Sequence, residues 1–135
     1  MKVVILAGGK GSRLSEYTSK IPKPMVKIGN KPMIVHIINS FIRYGHKDFI
    51  IAGGYKSHFI KEYFEKKNNK IKNTRIRVIK TGLNTLTALR IKKLEKYIKN
   101  ETFMLTYGDG ISNVNLKKLI NFHKKNKKTV TMTAV

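Results

Sequence analysis

At 135 residues, 41% apolar and 9% aromatic, the chain has room for one domain with a real core and hardly for two, and is globular in composition. It contains no cysteine, which excludes a disulfide framework and a thiolate metal site. Lys and Arg total 29 against 7 acids, a net charge of +22, which admits non-specific binding to polyanions.

Lys2 to Ala7 reads as a buried strand that breaks into the glycine loop Gly8-Gly9-Lys10-Gly11-Ser12-Arg13-Leu14. Thr18 to Pro24, polar and with two prolines, is expected to be extended or irregular. Pro32 opens a helix through Tyr44, with Met33, Ile34, Ile37, Ile38, Phe41 and Ile42 at helical spacing and Gly45 ending it. Asp48 to Ala52 is a second strand, closed by Gly53-Gly54. Ser57 is expected to cap a helix to about Lys67, burying Phe59, Ile60, Tyr63 and Phe64. A charged, Asn-rich loop follows to Asn73.

Arg75 to Lys80 alternates charge with Ile and Val, which predicts a third strand near a sheet edge. After the Thr81-Gly82-Leu83-Asn84-Thr85 loop, Thr85 or Thr87 is expected to cap a helix to about Lys99, with Leu89, Leu94, Tyr97 and Ile98 as its apolar stripe. Thr102 to Tyr107 is uncharged and so expected to be a central strand, running into Gly108-Asp109-Gly110. Asn113 or Asn115 caps a helix through about Lys125, with Leu116, Leu119, Ile120 and Phe122 facing in, and Thr129 to Val135 starts a fifth strand. This alternation predicts a Rossmann-like, doubly wound, mainly parallel α/β sheet flanked by helices, without repeats or linker. Four of the strand ends carry glycine-containing loops that would open on one edge of the sheet, the edge where such folds bind ligands.

No apolar run approaches the roughly 20 residues of a membrane-spanning helix, and no signal-peptide pattern opens the sequence. A cytoplasmic setting is therefore expected. The lysines are spread over several helices and loops and are not interleaved with aromatics, as a single-strand-binding platform would require. A lysine-rich composition that decorates solvated faces is the plainer explanation of the charge.

The loop Gly8 to Leu14 lacks both the Gly-Lys-Ser/Thr ending of a P-loop and the G-x-G-x-x-G spacing. It fits either a tight strand-to-coil turn or a cradle whose N–H groups approach an anion closely. Arg13 either clamps phosphate oxygens or lies on the surface. Lys23, between two prolines, either stabilises charge on a phosphoryl group or is one more solvated lysine. Asp109, flanked by glycines at a strand end, either holds Mg²⁺ or is a turn residue. His36, His46, His58 and His123 show no metal-ligand spacing.

The run Leu6-Ala7-Gly8-Gly9-Lys10-Gly11-Ser12-Arg13-Leu14, followed by Pro22-Lys23-Pro24-Met25 and Gly29-Asn30-Lys31-Pro32-Met33, resembles the signature of the sugar-1-phosphate nucleotidyltransferases. Gly54-Tyr55-Lys56, Thr81 to Thr87 and Leu105 to Gly110 narrow the likeness to glucose-1-phosphate cytidylyltransferases. The resemblance implies a GT-A-like core in which a sugar 1-phosphate attacks the α-phosphate of a nucleoside triphosphate. Glucose 1-phosphate and CTP are the expected pair, and a nucleotide sugar and pyrophosphate the products.

The backbone of Leu6, Ala7, Gly8 and Gly9 would hold base and ribose. Gly11, Ser12 and Arg13 would hold the triphosphate, and Lys23 would neutralise the α-phosphate. Asp109 would ligate Mg²⁺, and Gly82 and Thr87 would enclose the nucleoside. A homo-oligomer is compatible with this family.

The chain departs from the family pattern in three ways. Ala88-Leu89 stand where the family has two glycines before an arginine, and would be expected to crowd a ligand. The segment Phe64 to Thr74 is shorter. The family's second half, with most of the sugar-phosphate pocket and a second metal-binding carboxylate, lies beyond these residues. The sequence therefore reads as the nucleotide-binding part, 1–135, of a longer transferase domain without its sugar-binding part. The alternatives are a catalytically silent nucleotide-binding module and a basic α/β domain that binds nucleic acid.

Overall fold

Val3-Val4-Ile5-Leu6-Ala7 and Phe49-Ile50-Ile51-Ala52 are too short for helices and apolar on both faces, so they belong inside a sheet covered on both sides. In the computed structural model, which describes residues 1–10 and 19–134, the elements follow in order. Strand β1 (Lys2–Ala7) leads to a 3-10 turn (Lys23–Met25; another spans Lys67–Asn69) and a hairpin of β2 (Lys27–Ile28) and β3 (Lys31–Pro32). Then come α1 (Met33–Ile42), β4 (Asp48–Gly53), α2 (Ser57–Glu65) and β5 (Arg75–Lys80). The last elements are α3 (Thr87–Lys92), α4 (Glu95–Ile98), β6 (Phe103–Tyr107) and α5 (Leu116–Asn126).

The main sheet is parallel throughout, in the order β5-β4-β1-β6. Its inner strands pair Val3 with Phe49 and Ile5 with Ile51. Successive side chains alternate between two cores. Val3, Ile5, Phe49 and Ile51 pack with Ile34, Ile38 and Phe41 of α1 and Ile60 and Phe64 of α2. Val4, Leu6, Ile50 and Ala52 meet Leu94 and Ile98 on the other face. Each fully buried Val or Ile contributes about 1.5–3 kcal/mol, so these two strands anchor the fold.

β5 lies at an edge, as its alternating charges predict; Arg75 and Arg77 both pair with Asp48, at 3.0 and 3.2 Å. β6 does not occupy the central place expected of it. It is the opposite edge among the described residues, with Leu105 and Tyr107 45% and 60% exposed. Lack of charge does not tell a strand how many neighbours it will have.

The fifth strand expected at Thr129 does not form over residues 129–134, and Val135 lies outside the described residues. That segment lies back along α5, where the Thr131 hydroxyl meets His123 Nδ1 at 2.9 Å. Strand formation depends on a partner ladder more than on residue preference, and no described strand pairs there.

Smaller differences have local causes. Ser57 is the first helical residue of α2 rather than its cap, a place taken by Lys56 at φ 47°. Neither Thr85 nor Thr87 caps α3, because Leu86 precedes it and the Thr85 hydroxyl donates instead to Thr81 O at 2.7 Å. The single helix expected up to Lys99 breaks into α3 and α4, and Leu94 between them is fully buried while Leu89 is 51% exposed. Asn115 does cap α5, its Oδ1 accepting from Lys118 N at 3.1 Å, but Phe122 faces solvent. The β2–β3 hairpin, which turns at Gly29 with φ 63°, was not expected. Gly29-Asn30 is its signal in the sequence.

Candidate functional site

Because β4 and β6 flank β1 on opposite sides, the chain reverses its winding direction at β1. In open parallel sheets this is where a crevice forms beyond the strands' carboxyl ends. A cleft of about 370 Å³ lies there. Leu6, Ala7, Gly8 and Gly9 form one wall, and Lys23 and Pro24 a second. Thr85, Leu86, Thr87 and Arg90 also line it, with Tyr107 and Asp109 at the end of β6.

Of the residues singled out from the sequence, Leu6, Ala7, Gly8, Gly9, Lys23, Thr87 and Asp109 meet at this cleft. Gly82 is not among the lining residues and turns its loop at φ 104°. Gly11, Ser12 and Arg13 lie outside the described residues. Ala88 and Leu89 are exposed and do not line the cleft, so they do not crowd it as expected.

Lys23 is placed by the 3-10 turn between the two prolines, in which Met25 N donates to Pro22 O at 2.8 Å and Val26 N to Lys23 O at 3.0 Å. Its ammonium donates to Asp109 Oδ2 at 2.8 Å, across 86 residues of chain. Asp109 is brought there because Gly108 N donates to Leu6 O at 2.8 Å, joining the exits of β6 and β1. The two side chains are 28% and 40% exposed, and such a pair is worth only about 0–1 kcal/mol. It is therefore cheap to open, and a ligand can separate the two charges.

The residue that the sequence reading passed over is Arg90. It is 5% exposed, although most buried charges require pairing, and among the described residues it pairs with no carboxylate. Its Nη1 donates to Thr81 Oγ1, to Gly82 O at 3.0 Å and to Gly53 O at 3.3 Å, and its Nη2 to Thr85 O at 2.8 Å. Burial lowers its pKa from the usual arginine value, and it remains a cation at neutral pH. A Cβ on Gly8 would lie 2.1–2.6 Å from this guanidinium, whereas one on Gly9 would meet nothing within 4 Å. A side chain on Gly8 would thus have to displace the Arg90 guanidinium, whereas one on Gly9 would enter open space. The sequence signal of Arg90 was its place at the end of the Thr87-Ala88-Leu89-Arg90 run, where the resembled family pattern also ends in an arginine and to which the sequence reading gave no role.

A second lysine braces the same region. Lys56 Nζ donates to Ser19 O and, at 3.1 Å, to Lys20 O, while Tyr55 N donates to Gly8 O at 3.3 Å. The exit of β4 thereby holds both the glycine loop and the segment that leads to Lys23. Among the described residues, no group of three or more His, Cys, Asp or Glu side chains could hold a metal alone, and no helix is long and apolar enough to cross a membrane.

Residues 2–135 match the profile of the family described as Nucleotidyl transferase. The chain is 43% identical over 153 residues to a probable glucose-1-phosphate cytidylyltransferase of Bacillus subtilis (strain 168), covering 100% of this chain and 60% of that protein. It is 41% identical over 154 residues to the glucose-1-phosphate cytidylyltransferase of Salmonella typhimurium, covering 99% and 60%. Its fold superposes on the crystal structure of HddC from Yersinia pseudotuberculosis complexed with GMP-PN, with a TM-score of 0.76 at 32% identity, covering 90% of this chain and 53% of that one. The chain belongs to the nucleotidyl transferase family, and spans about 60% of the length of these two curated relatives.

Proposed function

We propose that this chain carries the nucleotide half of a sugar-1-phosphate nucleotidyltransferase, with CTP as donor and glucose 1-phosphate as acceptor, in a cytoplasmic setting. The observation that supports it most is the meeting of Gly8-Gly9, Lys23, Thr87 and Asp109 on one cleft at the sheet's switch point. The names of the two cytidylyltransferase relatives support the choice of CTP and glucose 1-phosphate.

In this reading an oxygen of the sugar 1-phosphate forms a bond to the α-phosphorus as the bond to the β-phosphate's bridging oxygen breaks, so pyrophosphate leaves in line. No covalent enzyme intermediate is needed, and the protein's work is positioning and charge neutralisation. The backbone of Leu6 to Gly9 lies along base and ribose, with Thr87 and the Gly82 loop opposite. Gly11, Ser12 and Arg13 would hold the triphosphate. Lys23, fixed by its prolines, stabilises charge on the α-phosphate.

Asp109 would hold Mg²⁺. A lone, half-exposed carboxylate is a poor metal site by itself, but it suits an ion whose remaining oxygens come from phosphates and water. When bound, that ion spreads and neutralises phosphate charge. Lys23, whose ammonium donates to Asp109, would turn to the phosphate once the nucleotide is bound.

Isothermal titration with CTP checks this. The chain should bind CTP more tightly with Mg²⁺ than with EDTA, and Asp109→Ala should remove that difference while leaving the metal-free affinity within about twofold. Equal affinities in the presence and absence of Mg²⁺ would contradict the role given to Asp109.

A further inference from the structure

We propose that Lys56 is a positioning residue for the phosphate end of the cleft, one that sets where the Lys23 ammonium stands. The inference rests on the reading of this cleft as a nucleotide site. Lys56 takes the N-cap place of α2 at φ 47° and ψ 32°, a left-handed conformation that disfavours any residue with a Cβ. Its side chain makes no capping bond to the helix. Capping residues are ordinarily extended, and glycine suits both a helix cap and a positive φ better than lysine does. Asn73, Lys99 and Lys127 also have positive φ, but the two lysines follow helix C-termini, where chains commonly turn this way. Position 56 thus holds a residue that neither its backbone nor its helix requires, and such local strain points to a function elsewhere.

What the lysine supplies is reach. Its Nζ donates to the carbonyls of Ser19 and Lys20, across 37 and 36 residues of chain, the second at 3.1 Å. Two acceptors on adjacent residues fix the direction of that segment as well as its place. Only Ile21 and Pro22 then intervene before Lys23, and the ring of Pro22 locks its φ, here −69°, so a displacement at Lys20 passes on with little slack. On its other side Lys23 is held by the 3-10 turn, where Val26 N donates to Lys23 O at 3.0 Å, and its ammonium ends on Asp109 at 2.8 Å. Lys56 is not among the residues that line the cleft. Apart from its diffuse charge, which salt screens, it reaches a bound nucleotide through the segment it holds.

The test is a double-mutant cycle, read by titration of the full chain with CTP and Mg²⁺ at high salt, beside the unfolding temperature of each variant. Lys56→Gly and Lys56→Ala should each weaken CTP about fivefold, a coupling usual within one network. In a Lys23→Ala background neither should weaken it further. Stability should part from binding: Lys56→Gly relieves the backbone and should unfold at a higher temperature than Lys56→Ala, although both lose CTP equally. Undiminished CTP affinity in Lys56→Gly, or the same further loss in the Lys23→Ala background, would overturn the positioning role. Should Lys23→Ala bind too weakly to titrate, the two variants at position 56 decide alone, and losses of CTP that differ as their stabilities do would overturn it. A parent chain that binds no nucleoside triphosphate would instead sink the nucleotide reading, and this inference with it.

Discussion

Gly8 and Gly9 are adjacent and chemically identical, yet the structure gives them opposite constraints. A methyl group on Gly8 collides with the Arg90 guanidinium, while one on Gly9 enters open space. Gly8→Ala should therefore destabilise the fold by about 1–3 kcal/mol, the usual cost of overpacking, and Gly9→Ala by less than about 0.5 kcal/mol. Urea unfolding of the two variants measures this directly, and equal midpoints would show that Arg90 can move aside. The sequence alone could not separate them, because both read as small residues that admit an anion. Lys23 and Asp109 were legible for the opposite reason. Two prolines announce a restrained backbone at Lys23 and two glycines a turn at a strand end for Asp109, even though the contact across 86 residues was not visible.

At the scale of elements, a short α1–β4 connection creates a pH-sensitive point. Gly45 turns the chain, and His46 is tucked back so that its N–H donates to Phe41 O at 3.3 Å and its ring meets Phe41 edge-on at 6.1 Å. Burial pushes its pKa below the ordinary value of 6.5, outweighing a hydrogen bond with the Met1 backbone that raises it. With a depressed folded pKa, the unfolded chain binds the proton first. The stability gained from neutral His46 is present above pH 6.5 and is lost as pH falls through the lower, folded pKa. Thermal unfolding between pH 7.5 and 5 should show this loss in the parent and a flatter profile in His46→Gln; parallel profiles would remove His46 as the cause.

Elements defined by apolar runs, β1, β4 and α1, were legible because burial writes directly into residue type. The α3–α4 break, the hairpin and the edge position of β6 were not, since each depends on partners brought from elsewhere in the chain. The missing fifth strand makes the same point, because Thr129 to Val135 has strand-like residues and no described neighbour to pair with.

For the whole molecule, the question is whether the cleft or the net charge of +22 governs what binds. The sheet order places every glycine-bearing strand end on one edge, and this part of the site followed from the alternation of strands and helices. Arg90 did not, because its role arises only when three strand ends are assembled around it. Charge-driven binding should weaken steeply with salt, whereas a formed cleft that recognises a nucleoside should keep its selectivity.

The most direct measurement is the unfolding temperature of the chain with CTP and Mg²⁺ at high salt, beside the same salt with a polynucleotide. A ligand at one hundred times its dissociation constant adds about 2.7 kcal/mol, a shift of several degrees for a domain of this size. That shift is predicted for CTP, with a fall in Asp109→Ala to the size seen without Mg²⁺, and none for the polynucleotide. No response to any nucleoside triphosphate, with polynucleotide binding that vanishes as salt rises, would contradict it and leave a basic α/β domain without a nucleotide site.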